Sequence, residues 1–165
     1  MNLDFSIATE GDALALKALH NAVSGAFLLR YRFGPWSVTT ETDMLLLIRN
    51  SRCIVAWSFG SIVGTLHLRT KKPWAVHIPY FTRVKKALYL TEMAVFPTMQ
   101  RQGIGRMLLE EATRQARAWP AGAIRLDTFD ADAGAGGFYA KCGFREVGRM
   151  RDRRGLPLIF FELLL

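Results

Sequence analysis

Cysteine is scarce in this chain: Cys53 and Cys142 are the only two, and no C-x-x-C pair exists. That excludes a disulfide framework and predicts two reduced thiols. Histidine is as sparse. His20, His67 and His77 lie at no ligand spacing to one another or to the cysteines, so no metal is expected. Apolar runs are short, none approaching the ~18–20 residues of a membrane span. The opening Met1-Asn2-Leu3-Asp4-Phe5 has no basic segment leading into an apolar one. Together these absences predict a cytoplasmic protein. Acidic residues are in deficit, 14 against 22 basic, for a formal charge of +8. Such a surplus steers polyanions toward a surface. Only Arg149–Arg154 forms a dense basic run, and it reads as a hairpin turn ending at Gly155, so nucleic acid is not the partner expected.

At 165 residues the chain suits one domain, residues 1–165. Alternation over residues 3–8 predicts a strand, Thr9-Glu10-Gly11-Asp12 a helix start, and residues 13–23 a helix. Residues 25–37, with Gly34-Pro35-Trp36, read mostly as loop. Thr39 or Thr40 caps a helix over 41–50, with Met44, Leu45, Leu47 and Ile48 inward. Strands 52–59 and 61–70 form a hairpin about Gly60-Ser61. Residues 71–86, carrying Trp74, Tyr80 and Phe81, are long for a connection and form the candidate substrate loop with a partly aromatic lining. A strand over 87–96 and a helix over 104–119 follow, the helix placing Ile104, Leu108, Ala112, Ala116 and Trp119 on one face. Pro120 and Gly122 stop it. A strand at 124–129, a short helix at 135–141 and a closing hairpin, 144–150 with 156–163, complete an α/β chain. These elements amount to about seven strands and about four helices.

The sharpest local signal is Gln100-Arg101-Gln102-Gly103-Ile104-Gly105, between the strand at 87–96 and the helix from 104. A glycine-bearing loop opening a helix makes an anion site, because the first-turn N–H groups point outward at the positive end of the helix dipole. Diphosphate suits it, with Arg101 and Arg106 alongside. A dinucleotide fingerprint is incomplete, since Met107-Leu108 stands where a third glycine belongs, and no Gly-Lys-Ser/Thr follows.

A second block, Asp132-Ala133-Gly134-Ala135-Gly136-Gly137-Phe138-Tyr139-Ala140-Lys141-Cys142-Gly143-Phe144, lies further on. With the first, it resembles the GNAT superfamily of acetyl-CoA-dependent N-acetyltransferases. The first block matches that family's Gln/Arg-x-x-Gly-x-Gly/Ala motif, and the second its Asn-x-x-Ala-x-x-Phe-Tyr-x-Lys-x-Gly-Phe motif from Ala135 onward. The resemblance is strong over 87–165 and topological over 1–86. Its fold has the element order read above, and the resemblance implies an α/β fold with a mixed central sheet of about seven strands flanked by about four helices. Asp132 stands where the family has Asn, and a carboxylate accepts hydrogen bonds but does not donate them.

What the resemblance implies is transfer of an acetyl group from acetyl-CoA to a primary amine, directly and through a tetrahedral intermediate. The backbone of Met93, Ala94 and Val95 would meet the pantetheine arm where the strands at 87–96 and 124–129 splay, with the N–H near Val95 facing the oxyanion. Residues 100–106 (Gln100, Arg101, Gln102, Gly103, Ile104, Gly105 and Arg106) would hold the diphosphate, and Asp132, Ala135, Phe138 and Tyr139 would complete the cofactor contacts. Tyr139 matches the family's general acid. Glu92, a charge inside an apolar strand on the face of Leu90 and Ala94, is the candidate base. A base matters because an alkylamine of pKa ~10.4 is neutral in only about 1 molecule in 2,500 at pH 7. Tyr89, Asp127, Asp130 and His77 are lesser candidates, read as structural or solvated. Gly134, Gly136 and Gly137 crowd a helix start, where each costs up to ~1 kcal/mol relative to Ala, and the pantetheine arm or loop flexibility would account for them.

A small molecule or amino acid is the expected acceptor, its specificity residing in 24–40 and 71–86. Acetylation of a protein N-terminus, a lysine or an aminoacyl-tRNA is the alternative, and a non-catalytic acyl-CoA-binding module the third reading. The apolar end 156–165 either closes the sheet or pairs two subunits as a homodimer.

Overall fold

The computed structural model describes every residue except 1–2, 33–37, 74–77, 131–133 and 153–154, and the side chain of Ile78. Trp36, Trp74, His77 and Asp132, each singled out above, lie outside the described residues. The strands are β1 (Asp4–Ile7), β2 (Arg52–Ser58), β3 (Ser61–Arg69), β4 (Ala87–Val95), β5 (Ala123–Phe129), β6 (Arg145–Arg151) and β7 (Pro157–Leu164). The α-helices are α1 (Ala13–Tyr31), α2 (Glu41–Asn50), α3 (Ile104–Ala118) and α4 (Gly136–Lys141). The seven strands form one sheet in the order β1-β2-β3-β4-β5-β7-β6. It is mixed: β4 and β5 run parallel, whereas β1–β2, β2–β3, β5–β7 and β6–β7 are antiparallel. By compactness the chain divides into two units, residues 1–69 with 91–112, and residues 70–90 with 113–165.

In the first unit the helix starts are set locally. Thr9 donates its backbone N–H to Asp12 Oδ2 at 2.7 Å, and Thr40 and Asp43 exchange bonds in the same way at 2.8 and 3.1 Å. These are reciprocal caps that satisfy first-turn donors. α1 runs eight residues beyond the 13–23 expected, to Tyr31, where Arg32 (φ 58°) ends it and donates to Leu28 O at 2.9 Å. Gly25 weakens a helix by ~1 kcal/mol. The i,i+4 pair Phe27–Tyr31, its rings 4.7 Å apart, offsets part of that within the same turns. The β2–β3 turn is Phe59-Gly60, one residue earlier than read, with both φ positive (48° and 76°) and Ser58 opposite Ser61. That matches the right-handed twist of the flanking strands.

The core of this unit lies between α1, α2 and one face of β2–β3, and comprises Leu16, Leu19, Val23, Met44, Cys53, Val55 and Ile62. A polar chain crosses it. Ser51 Oγ donates to Leu47 O at 2.6 Å and accepts from His67 Nδ1 at 2.7 Å, while Cys53 Sγ lies 3.4 Å from both His67 Nε2 and Thr65 Oγ1. With the Ser51 proton committed to Leu47, His67 carries its hydrogen on Nδ1 and is neutral. His20, 1% exposed, sits with its ring 6.4 Å from that of His67. On the other face, Gly64 seats the start of α3: a Cβ there would come within 2.9 Å of Leu108 and 3.2 Å of Ile104.

In the second unit the connection before β4 is tied to the sheet. Phe81 is buried and packs edge-on against Phe160, ring centroids 6.1 Å apart, with Tyr80 at 5.4 Å from the same ring. Phe81 belongs to the core with Tyr89 and Leu158, and half-buried Tyr80 packs against it, so the pocket lining expected of Phe81 is corrected. Large aromatics bury more readily than they stay wet, and here β7 supplies the apolar surface. Arg125 (6% exposed) pairs with Glu162 at 3.2 Å and donates to Thr82 O at 2.6 Å. Thr82 N–H donates to Glu162 Oε2 at 3.2 Å. Tyr80 also lies flat over Gly148, where a Cβ would stand 2.5 Å from Tyr80 Cγ. A rigid ring cannot yield that much. Gly148→Ala is therefore expected to cost about 1–3 kcal/mol as overpacking, and far less in a Tyr80→Ala background. Chemical denaturation of the four proteins checks it, and additive losses would exclude the clash.

Candidate functional site

The loop ahead of α3 is built by its own side chains. A single 3-10 turn, Pro97–Met99, leaves β4, and Phe96 N–H bonds Val63 O at 2.9 Å to hold the strand end. Gln100 Nε2 donates to Val95 O at 3.1 Å and Gln102 Nε2 to Thr98 O at 3.3 Å. Both amides thus brace the loop, and what these glutamines can offer an anion is backbone N–H. Arg101 is left-handed (φ 63°) and Gly103 follows at φ 86°. A Cβ at Gly103 would meet nothing within 4 Å, so the glycine serves the backbone turn rather than the chain's own packing. Gly103 O accepts from Met107 N at 3.1 Å, which makes Gly103 the cap of α3 and leaves the first-turn N–H groups facing out of the helix end. Arg101 and Arg106 are exposed beside it, whereas Ile104 and Leu108 are buried beneath. A diphosphate fits this arrangement.

β4 departs from the sequence reading at one residue. Glu92 has φ 51°, a left-handed residue inside a strand. The regular alternation that puts Glu92 on the face of Leu90 and Ala94 is interrupted there, and residues 91–93 are half-buried while Leu90 and Ala94 are buried. Such backbone costs of order 1–3 kcal/mol and collects at functional sites.

Tyr139 sits on α4, a helix of six residues stopped by a local device. Gly143 is left-handed (φ 87°), its N–H bonds Ala140 O at 3.1 Å, and Phe144 N–H bonds Tyr139 O at 3.1 Å. This is the Schellman arrangement, with its apolar contact between Tyr139 and Phe144, ring centroids 5.7 Å apart. Gly143 and Phe144 therefore build the seat of Tyr139. Phe138 at 5.3 Å and Phe161 at 6.0 Å complete it. Thr128 Oγ1 accepts from Ala135 N at 3.2 Å and anchors the helix start. Burial pushes the Tyr139 phenol well above the ordinary tyrosine range, and the charges of Asp127 and Cys142 add to the push. A Cβ at Gly136 would touch Phe161 at an ordinary 3.5 Å and one at Gly137 would meet nothing, so packing does not require glycine at either position.

Of the lesser candidates, Tyr89 is buried and its hydroxyl accepts from Arg125 at 3.4 Å, and Asp130 pairs with Arg149 at 2.7 Å. Asp127 is half-buried, and burial raises its carboxyl above the usual range. The Arg125–Glu162 pair was not readable from sequence: its members are 37 residues apart and only strand register brings them together.

The model of the acetyltransferase (GNAT) family matches residues 17–144. The chain is 26% identical over 128 residues to YvbK of Bacillus subtilis, an uncharacterized N-acetyltransferase, across 71% of this chain and 75% of that protein. The ribosomal-protein-alanine N-acetyltransferase of Brucella melitensis has a similar crystal structure, with a TM-score of 0.77 and 22% identity over 98% of this chain and 99% of that one. YncA of Salmonella typhimurium, solved with acetyl-CoA, gives 0.76 and 18% over 100% and 95%. Among the described residues no helix is long and apolar enough to cross a membrane.

Proposed function

Because the chain belongs to the GNAT acetyltransferase family, we propose that it moves an acetyl group from acetyl-CoA to a primary amine, that of a small molecule or amino acid. The observation that carries the reading is the loop at 100–105, whose left-handed Gly103 caps a 15-residue helix with open space where a side chain would stand. Backbone N–H groups from Gly103 to Arg106 would hold the diphosphate, with Arg101 and Arg106 adding charge. Acetyl-CoA supplies an activated thioester. The protein must then steady a developing oxyanion, accept an amine proton and return a proton to the departing sulfur.

The left-handed turn at Glu92 supports assigning the oxyanion contact to the backbone of residues 93–95, since a bulge takes strand N–H groups out of the ladder. Glu92 itself is half-buried and is the carboxylate proposed to take the amine proton. Tyr139, held protonated by burial, is the proposed acid. The smallness of Gly136 and Gly137, which packing does not demand, is consistent with a pantetheine arm passing close to α4.

A thiol-release assay tests this, with acetyl-CoA and a panel of polyamines, amino acids, aminoglycosides and peptides. Release that requires an amine and drops in Glu92→Gln and Tyr139→Phe is expected. Failure to bind coenzyme A in calorimetry would overturn the proposal.

A further inference from the structure

β5 carries Arg125, Asp127 and Phe129 on one face at two-residue spacing, and β7 sets Glu162, Phe160 and Leu158 opposite them. The same face thus holds two carboxylates in contrasting states. Glu162, its side chain fully buried, has Arg125 at 3.2 Å, Arg145 at 3.5 Å and the Thr82 N–H at 3.2 Å. The Arg125 guanidinium is engaged there through all three nitrogens, reaching Thr82 O and Tyr89 OH as well as Glu162 and lying 4.9 Å over the Phe81 ring.

Asp127, two residues along, faces fully buried Phe160 instead of a cation. Among the described residues the only hydrogen bond found for its carboxylate comes from its own backbone N–H. Arg125 is committed to Glu162, Arg145 to Glu162 and Thr82, and Arg149 to Asp130 and Glu146. Burying a carboxylate without a partner is costly, and chains remove such groups unless they are used. Asp127 is also not sealed: it is half-buried, so a ligand can reach it. Its charge is felt at Tyr139, the proposed acid.

We propose that Asp127 receives the ammonium group of the acceptor, so that this enzyme takes cationic amines. The inference rests on the acetyl-transfer reading and adds the class of acceptor to it. Recognition is by the ion pair that Asp127 lacks among the described residues, formed as the amine arrives. Among the described residues, the titratable or charged groups on its own strand and on the elements packed against it are Arg125 on β5, Glu162 on β7, Tyr89 on β4, Tyr139 and Cys142 at α4, and Arg145 on β6.

The test uses the full chain loaded with coenzyme A, and n-butylamine, putrescine, spermidine and lysine as probes, in wild type, Asp127→Asn and the surface control Asp130→Asn. Calorimetry should show at least one amine binding tenfold or more weakly to Asp127→Asn, with coenzyme A binding unchanged. Turnover should show KM raised by the same factor and kcat changed less. The thermal midpoint of Asp127→Asn should equal or exceed that of wild type, because a half-buried charge with no cation beside it among the described residues has gone. A midpoint several degrees lower with amine binding intact would make Asp127 structural and overturn the proposal. So would equal amine affinity in the two proteins, or no binding of any probe to wild type. Asp127-dependent binding without thiol release would uphold the ammonium site and overturn acetyl transfer.

Discussion

Replacing Tyr139 with phenylalanine is expected to lower kcat by about 10²–10⁴-fold, the contribution typical of a positioned acid, while the fold survives. The ring is what the core requires. Phe138, Phe144 and Phe161 surround it at centroid distances of 5.3, 5.7 and 6.0 Å, and phenylalanine keeps those contacts. Only the hydroxyl is lost. Burial, with Asp127 and Cys142, pushes the phenol upward, so the proton is present throughout the usual assay range. A phenol is a weaker acid than a thiol of pKa ~8.5, so protonation of the leaving sulfur depends on position rather than on acidity. Tyr139 should accordingly give kcat no alkaline limb below about pH 10. Thiol release as a function of pH, with melting curves for both proteins, checks this. Near-normal turnover in Tyr139→Phe would take the residue out of the mechanism, and a collapsed melting curve would make it structural.

The protein should lose stability steeply as pH falls from 6.5 toward 4. His20 and His67 are 1% and 0% exposed, and burial lowers their pKa from 6.5 to about 4 and about 3. His20 and Arg69 contribute to the depression at His67. The sign follows from proton counting. Between the folded and unfolded values the unfolded chain binds more protons, so stability falls as pH drops through 6.5 and continues to fall until the folded rings titrate. At pH 4 the loss is roughly 3 kcal/mol for each histidine, and less than twice that together because the two are coupled. Protonating His67 also places a second N–H against Cys53, a poor acceptor, while Nδ1 already donates to Ser51.

Depressed carboxylates add to the fall only at its acid end. Glu10, Asp43 and Glu146 are held below their ordinary 4.5, 3.8 and 4.5 by Arg49, Thr40 and Arg149, so their contributions begin to fade as the pH nears those values and go on fading below them. Denaturant midpoints at pH 7, 6, 5 and 4.5, for wild type and for His67→Gln, test the assignment. The slope should flatten in the variant. A wild-type midpoint constant from pH 7 to 4.5 would refute it.

What was legible in the amino-acid order was local. The reciprocal caps at Thr9 and Thr40 and the glycine opening α3 each act through residues three or four apart, whereas the glycine that stops α4 behind Tyr139 was not read from the sequence. A short peptide already carries that information. The spacing of Ile104, Leu108, Ala112 and Ala116 likewise marked the face that is buried. The element order followed from such signals in sequence, and the mixed sheet from the family resemblance.

Other features waited for the tertiary structure. α1 passes through Gly25, part of whose cost Phe27 and Tyr31 offset, and Phe81 leaves the expected pocket because β7 offers Phe160. The break at Glu92 is invisible to a pattern that assumes two-residue alternation. Arg125 and Glu162, like Cys53 and His67, look like isolated residues until strand register places them within 3.2 and 3.4 Å. The caps and glycine turns depend on backbone geometry within a single turn and can be read from residue type. The buried pairs, the Asp127 carboxylate with no cation beside it among the described residues, and the burial that holds protons on Tyr139 and off His67 depend on which side chains are desolvated together, and only the folded chain decides that.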